Sequence, residues 1–253
     1  MRRDRAARTA EPARFLFDRA HNEIIDRMAD IKHRFSSALL LGASDPEVTD
    51  RLAGMAALTV VDPGRLFAEA SGGIQAIEDE LDLEPGSFDL VVAIGTLDTV
   101  NDLPGALLRL RFLLKPDSLL IGAMSGGETL PRLRQAMRAA DAVMGAASPH
   151  VHPRIEPSAL AQLLDSAGFA MPVVDVDRVR VTYRDFRQLV GDLRGMGATN
   201  ILSSRSRRPL TRAALAAAEA DFRSDSGERT VETFEILNFA AWTPADPQPA
   251  RNG

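Results

Sequence analysis

Four groups of residues in this 253-residue chain have the types and spacing that chemistry requires. Gly42 ends the apolar run Leu39-Leu40-Leu41 and precedes a helix start in which Ser44 or Asp45 can cap and Pro46 suits the first turn. A glycine there lets a ligand approach the backbone, and the free N–H groups of the helix attract an anion or a carboxylate. Asp62 closes a second apolar run. An acid at that place accepts hydrogen bonds from ribose hydroxyls in nucleoside-binding sheets, the other reading being a cap for the helix after Pro63. Asp98, Asn101 and Asp102 follow a third run, Phe88–Ile94. Asn101 and Asp102 suit a turn and an N-cap before Pro104, which leaves Asp98 as the carboxylate able to work on a cationic group. His150 and His152 stand in a proline-flanked loop, Ser148-Pro149-His150-Val151-His152-Pro153. With a carboxylate such a pair could hold iron, but an isolated His-x-His is more often a loop that bonds backbone or touches substrate, and no metal site is expected.

The composition closes other routes. With no cysteine, zinc fingers, thiol redox centres, iron–sulfur ligation and cysteine nucleophiles are excluded. A net charge of −5 argues against nucleic acid as a partner. Gly42 is followed by Ala43, Ser44 and Asp45, so the glycine fingerprint of nicotinamide-dinucleotide enzymes is missing, and no G-x-x-x-x-G-K occurs. No apolar run approaches the length of a membrane span, and the chain reads as cytoplasmic. Residues 1–12, rich in Arg, read as a disordered tail; an organellar transit peptide is the alternative, weakened by Asp4 and Glu11. Residues 244–253 read as a second disordered tail.

The elements that must position these groups alternate. An amphipathic helix over roughly 13–34 leads, followed by strands at 37–42, 57–62, 88–94 and 118–124, with a Lys115-Pro116-Asp117 turn before the last of these. Helices fall after Pro46 and after Asp102. A helix over 157–167 and a strand over 173–181 come next. A late strand over 231–242 follows an insertion at 182–229 that holds two helices and the cluster Arg205, Arg207 and Arg208, read as a solvated loop. This alternation predicts an α/β fold with a doubly wound sheet in one domain over 13–243, with ligands at the carboxyl ends of the strands.

Leu39-Leu40-Leu41-Gly42, Asp62, Phe88-Asp89-Leu90-Val91-Val92, Leu114-Lys115-Pro116-Asp117 and Ala167-Gly168-Phe169 resemble class I S-adenosylmethionine-dependent methyltransferases. That resemblance implies a seven-stranded Rossmann-like sheet with an antiparallel last strand, a leading helix and a helical insertion before that strand. It also implies S-adenosylmethionine as cofactor, held by Gly42, Ala43, Ser44, Asp62, Pro63, Glu78, Asp79, Gly95 and Thr96. Val100–Pro104, Ile121–Met124, Ser148-Pro149-His150 and Asp192–Gly197 with Asn200 are similar to the complex I assembly factors of methyltransferase fold, which are associated with arginine hydroxylation. His150, on that likeness, and Asp98, from its place after the third run although that branch often has His-Trp there, are the catalytic candidates. Asn101, Asp102, Met124, His152, Gly195, Met196 and Asn200 would face a protein substrate or partner, a respiratory complex I subunit. The first motif is degenerate: Leu40 stands where the family has an acid and Ser44 where it has a second glycine. Two alternatives stay open, a methyltransferase of small molecules or acyl-carrier proteins, and a scaffold that keeps the sheet without the cofactor.

Overall fold

The computed structural model describes residues 2–8, 13–42, 46–78, 80–223 and 229–245. The seven strands are β1 (Ser37–Leu41), β2 (Ala57–Asp62), β3 (Ile74–Gln75), β4 (Phe88–Ile94), β5 (Leu114–Ser125), β6 (Ala170–Tyr183) and β7 (Thr230–Trp242). They form one sheet in the order β3-β2-β1-β4-β5-β7-β6. β1 pairs in parallel with β2 and β4, and β4 with β5. Strands covered on both faces must be apolar throughout, as Ala38–Leu41 and Leu90–Ile94 are, and all of these residues are buried. β7 runs antiparallel: the Thr243 amide donates to the Ser118 carbonyl and the Gly126 amide to that of Glu235, each at 2.8 Å. The helices are α1 (Arg2–Ala7), α2 (Phe15–Asp30), α3 (Pro46–Ala53), α4 (Arg65–Ala70), α5 (Leu103–Leu113), α6 (Pro131–Met144), α7 (Pro157–Ser166), α8 (Phe186–Gly195) and α9 (Arg212–Arg223).

The chain gathers into two compact units. The first, here the helical unit, holds Met1–Arg14, Ser125–Ile155 and Val176–Ile236; the second, the sheet unit, holds Phe15–Met124, Glu156–Asp175 and Leu237–Gly253.

In the sheet unit, the Lys115–Asp117 turn is absorbed into β5 as a bulge. Phe88 pairs with Leu114 but Leu90 with Leu119, and Asp117 takes a left-handed φ of 53° to accommodate the extra residues. At the amino ends of β1 and β4, the Asp89 carboxylate accepts from the Ser36 hydroxyl and from the Ser36 and Ser37 amides at 3.0 and 2.9 Å, with Lys115 3.8 Å away. Burial pushes the Asp89 carboxyl up, but these donors and Lys115 outweigh it and hold the group below its ordinary 3.8. Because the folded value is the lower one, the stabilisation is fully present above the ordinary value and is lost as pH falls from there through the lowered one. Asp89→Asn should therefore lose about 1–2 kcal/mol at neutral pH. Urea midpoints of variant and parent should converge below pH ~4; a gap independent of pH would refute the charge-based account.

In the helical unit, α6 packs on α9, and Phe186 of α8 meets Phe222 of α9 edge to face at 5.7 Å. α6 begins without a local cap: Leu130 precedes it at φ 63°, and Pro131 opens its first turn. Glu232 of β7 supplies the acceptor instead, its carboxylate taking the Leu133 amide at 2.8 Å, the Arg132 amide at 3.2 Å and the Thr233 amide at 2.9 Å. Burial raises the Glu232 pKa, and the three amides only partly oppose it.

The tail expected over 1–12 is helical at Arg2–Ala7, where α1 packs on α8 with Arg3 and Ala6 buried. The reason lies in packing: α1 seats on α8 and lies beside Gly197, where an added methyl group would be in ordinary van der Waals contact with the Ala6 Cβ at 3.4 Å. Residues 9–12 and 246–253 of the two expected tails lie outside the described residues.

Candidate functional site

The residues singled out from the sequence gather in two places, one in each unit. In the sheet unit they stand at the carboxyl ends of β1, β2 and β4. Gly42 follows β1 at φ +95°, and a methyl group there would lie 2.2 Å from the Ile94 carbonyl oxygen and 3.1 Å from the Thr96 Cγ2. Only glycine allows the end of β1 to lie this close to the end of β4. Thr96 is buried, and its hydroxyl has no hydrogen-bond partner among the described residues. An unmade hydrogen bond at a buried hydroxyl costs about 1–3 kcal/mol, so a ligand atom is the natural completion.

Asp62 ends β2 fully buried, and its Oδ1 accepts the Gly64 amide at 2.6 Å. The turn-forming role is thus realised, since Gly64 heads α4 without a side-chain cap of its own. The two roles are compatible, because a carboxylate has several acceptor sites. Pro63 is half-buried beside it, and Glu78 is buried after β3. Asp79, Ala43 and Ser44 lie outside the described residues. Gly95 follows β4 at φ +64°, and a methyl group there would come 2.4 Å from the Phe17 ring, so α2 lays an aromatic face against this backbone. No spacing rule picks out Phe17; its signal is only that the glycine after β4 leaves room for a ring.

Asp98 is half-buried in the one-turn helix Leu97–Thr99 that follows. Asn101 and Asp102 are exposed, and Asp102 caps α5, its Oδ1 accepting the Gly105 amide at 3.0 Å. Met124 is buried within β5.

In the helical unit, His150, His152 and Asn200 line one cavity of about 220 Å³. His150 Nε2 lies 2.9 Å from Asp141 Oδ1 of α6, whose other oxygen accepts the Ser148 amide at 3.0 Å. His152 Nε2 accepts the Ile201 amide at 3.2 Å, which places the ring proton on Nδ1. Asn200 donates to the Pro149 carbonyl at 2.7 Å and accepts the Leu202 amide at 3.0 Å. The two loops are thereby stitched together, and Asp141 is the member that the sequence reading missed. Gly195 and Met196 form the end of α8: Ala198 donates to the Leu193 carbonyl at 2.8 Å and Gly197 is left-handed at φ 69°. Among the described residues no group of three or more histidine or carboxylate side chains could hold a metal ion. Nor is any described helix long and apolar enough to cross a membrane.

A sheet in this order, with its last strand antiparallel and a glycine–acid pair at the ends of β1 and β2, defines the methyltransferase class of α/β proteins. Residues 14–172 match the family described as methyltransferase domain, and the chain belongs to that family. Among its relatives is the protein named arginine-hydroxylase NDUFAF5, mitochondrial, of Danio rerio. The two are 33% identical, and the match covers 94% of this chain and 79% of the relative. The malonyl-[acyl-carrier protein] O-methyltransferase of Laribacter hongkongensis is 34% identical over 72% of this chain and 60% of its own length. The solved structure of the YcgJ protein from Bacillus subtilis shares the fold at a TM-score of 0.59 and 10% identity, covering 88% of this chain and 98% of that one.

S-adenosylmethionine binding is a property of this fold family. The residues present fit the group. A cradle that a Cβ at Gly42 would fill lies beside an orphaned hydroxyl at Thr96, and Asp62 is a buried acid at the end of the neighbouring strand.

Proposed function

We propose that this chain binds S-adenosylmethionine at the carboxyl ends of β1, β2 and β4 and acts, in the cytoplasm, on an arginine of a respiratory complex I subunit. The observation that carries the cofactor half is the unpartnered Thr96 hydroxyl beside Gly42. The likeness to an arginine hydroxylase along 94% of the chain supports the substrate half.

When bound, the cofactor supplies a cationic sulfonium with a transferable methyl group. Asp62 and Pro63 would hold the ribose side, Glu78 and Asp79 the adenine side, and Gly42, Ala43, Ser44, Gly95 and Thr96 the methionine side. Asp98 would attract the guanidinium of the substrate, its carboxylate strengthened by half-burial. In the helical unit His150, bonded to Asp141, is the other proposed catalytic residue, one able to accept or return a proton. Asn101, Asp102 and Met124 in the sheet unit and, separately, His152, Gly195, Met196 and Asn200 in the helical unit are the further residues proposed to meet substrate or partner.

A second reading has its own observation. Leu40 is buried in β1 where an acid could meet the amino group of the cofactor, which favours a scaffold that has lost it.

Calorimetric titration separates the two. Sub-millimolar binding of S-adenosylmethionine is expected, and Asp62→Asn, which keeps an acceptor for Gly64, should weaken it about 10- to 100-fold by removing a charge-assisted bond. Silence at millimolar cofactor would establish the scaffold. For the substrate, peptides from captured complex I subunits should carry a modified arginine, the added mass of one oxygen or of one methylene telling hydroxylation from methylation. Modification of a carrier protein instead would favour the acyl-carrier reading.

A further inference from the structure

We propose that Asn238 of β7 is a substrate-binding residue, its amide oxygen accepting an N–H of the arginine on which the sheet unit acts. This contact deepens the function proposed above and rests on its substrate half.

Asn238 is a polar side chain between the buried Leu237 and Phe239, and only 3% of it is exposed. Its Oδ1 has no hydrogen-bond partner among the described residues. A buried carbonyl oxygen without a partner costs the fold its desolvation, a cost that a ligand N–H removes.

The neighbours of Asn238 fix its place in the sheet. The Thr243 amide donates to the Ser118 carbonyl at 2.8 Å, and a methyl group on Gly122 would lie 2.5 Å from the Phe239 ring. In this register Asn238 stands opposite Ala123, and Ala123 pairs with Ile94, the last residue of β4. The amide is therefore level with the carboxyl end of β4, and two strand spacings, about 10 Å, to its side. Asp98 follows that same end of β4.

Alternate residues of a strand share a face, so Asn238 points to the side of Trp242, whose ring meets that of His33 edge to face at 5.5 Å. His33 follows α2, and near its other end α2 lays Phe17 on Gly95. α2 thus covers the face to which Asn238 points, and His21, one turn after Phe17, is buried there. A guanidinium carries five N–H donors and no acceptor, so its charge can answer Asp98 while one N–H meets the Asn238 oxygen. An acceptor on one N–H also fixes how the guanidinium plane is turned toward the reacting group.

The test compares the full chain with Asn238→Leu, which keeps the size of the side chain and removes the amide. The parent should bind Nα-acetyl-argininamide at least about tenfold more tightly than Nα-acetyl-norleucinamide in calorimetric titration, and the variant should lose about tenfold of that affinity. Without ligand the variant should be the more stable of the two, its urea midpoint higher by about half a molar, because an unpaired amide has been replaced by an apolar group. In the parent labelled with ¹⁵N-asparagine, Nα-acetyl-argininamide should shift the side-chain amide signal that is missing from the variant. No binding of Nα-acetyl-argininamide, equal affinity in the variant, a lowered urea midpoint or an unmoved amide signal would each overturn the proposal. Silence toward S-adenosylmethionine would instead refute the cofactor half of the proposed function and leave these results standing.

Discussion

Gly42→Ala should destabilise the protein by about 3–5 kcal/mol and, if any folded protein remains, abolish cofactor binding. Two effects add. At φ +95° an alanine is strained by about 1–3 kcal/mol, and its methyl group would sit 2.2 Å from the Ile94 carbonyl oxygen, forcing β1 and β4 apart. Gly72 separates the two effects, being left-handed at φ +64° with nothing within 4 Å of the same added methyl group. Gly72→Ala should therefore show the backbone penalty alone, about 1 kcal/mol. Urea midpoints measured side by side decide the matter: equal losses at both glycines would mean that crowding at the β1–β4 edge contributes nothing.

Glu232→Ala should lose about 2–3 kcal/mol and fray the first turn of α6. The Leu133 and Arg132 amides would each lose a charged acceptor, and no nearby side chain replaces it in the N-cap geometry, since Leu130 offers none. Amide hydrogen exchange should quicken at Arg132 and Leu133 while α9 stays protected; unchanged exchange there would refute the capping role. The pH dependence has the opposite sign to that of Asp89. Because burial raises the folded pKa of Glu232, the protein loses stability as pH rises from the ordinary carboxylate value through the raised one. Glu232→Gln, uncharged but still able to accept one bond, should flatten that slope.

The parts of the fold that local physics decides were legible in the sequence. Ala38–Leu41 and Leu90–Ile94 are too apolar to be anything but two-sided buried strands, and Asp102 with Pro104 announces α5. α6 was not legible: half of its buried face is alanine, and its cap comes from Glu232, a hundred residues later. α1 is a six-residue, arginine-rich segment too short to hold itself; its packing on α8 does.

The site divides along the same line. Gly42 and Asp62 were visible because each ends a strand in a known place. Phe17 was not, because its meaning depends on the bare backbone of Gly95. His150, His152 and Asn200 stood out as residues, but their convergence on one cavity rests on bonds such as Asn200 to Pro149, which span fifty-one residues.

The position of β7 bears on how the chain is made. It lies between β5 and β6, yet it is the last of these seven strands to be synthesised, and it carries the cap of α6. During synthesis β6 emerges with its inner edge unsatisfied and α6 with its first turn open, until residues 230–242 arrive to close both. A nascent chain halted before residue 230 therefore exposes a fourteen-residue strand with free amides along both sides, the state in which this protein is most exposed to aggregation and most in need of a chaperone.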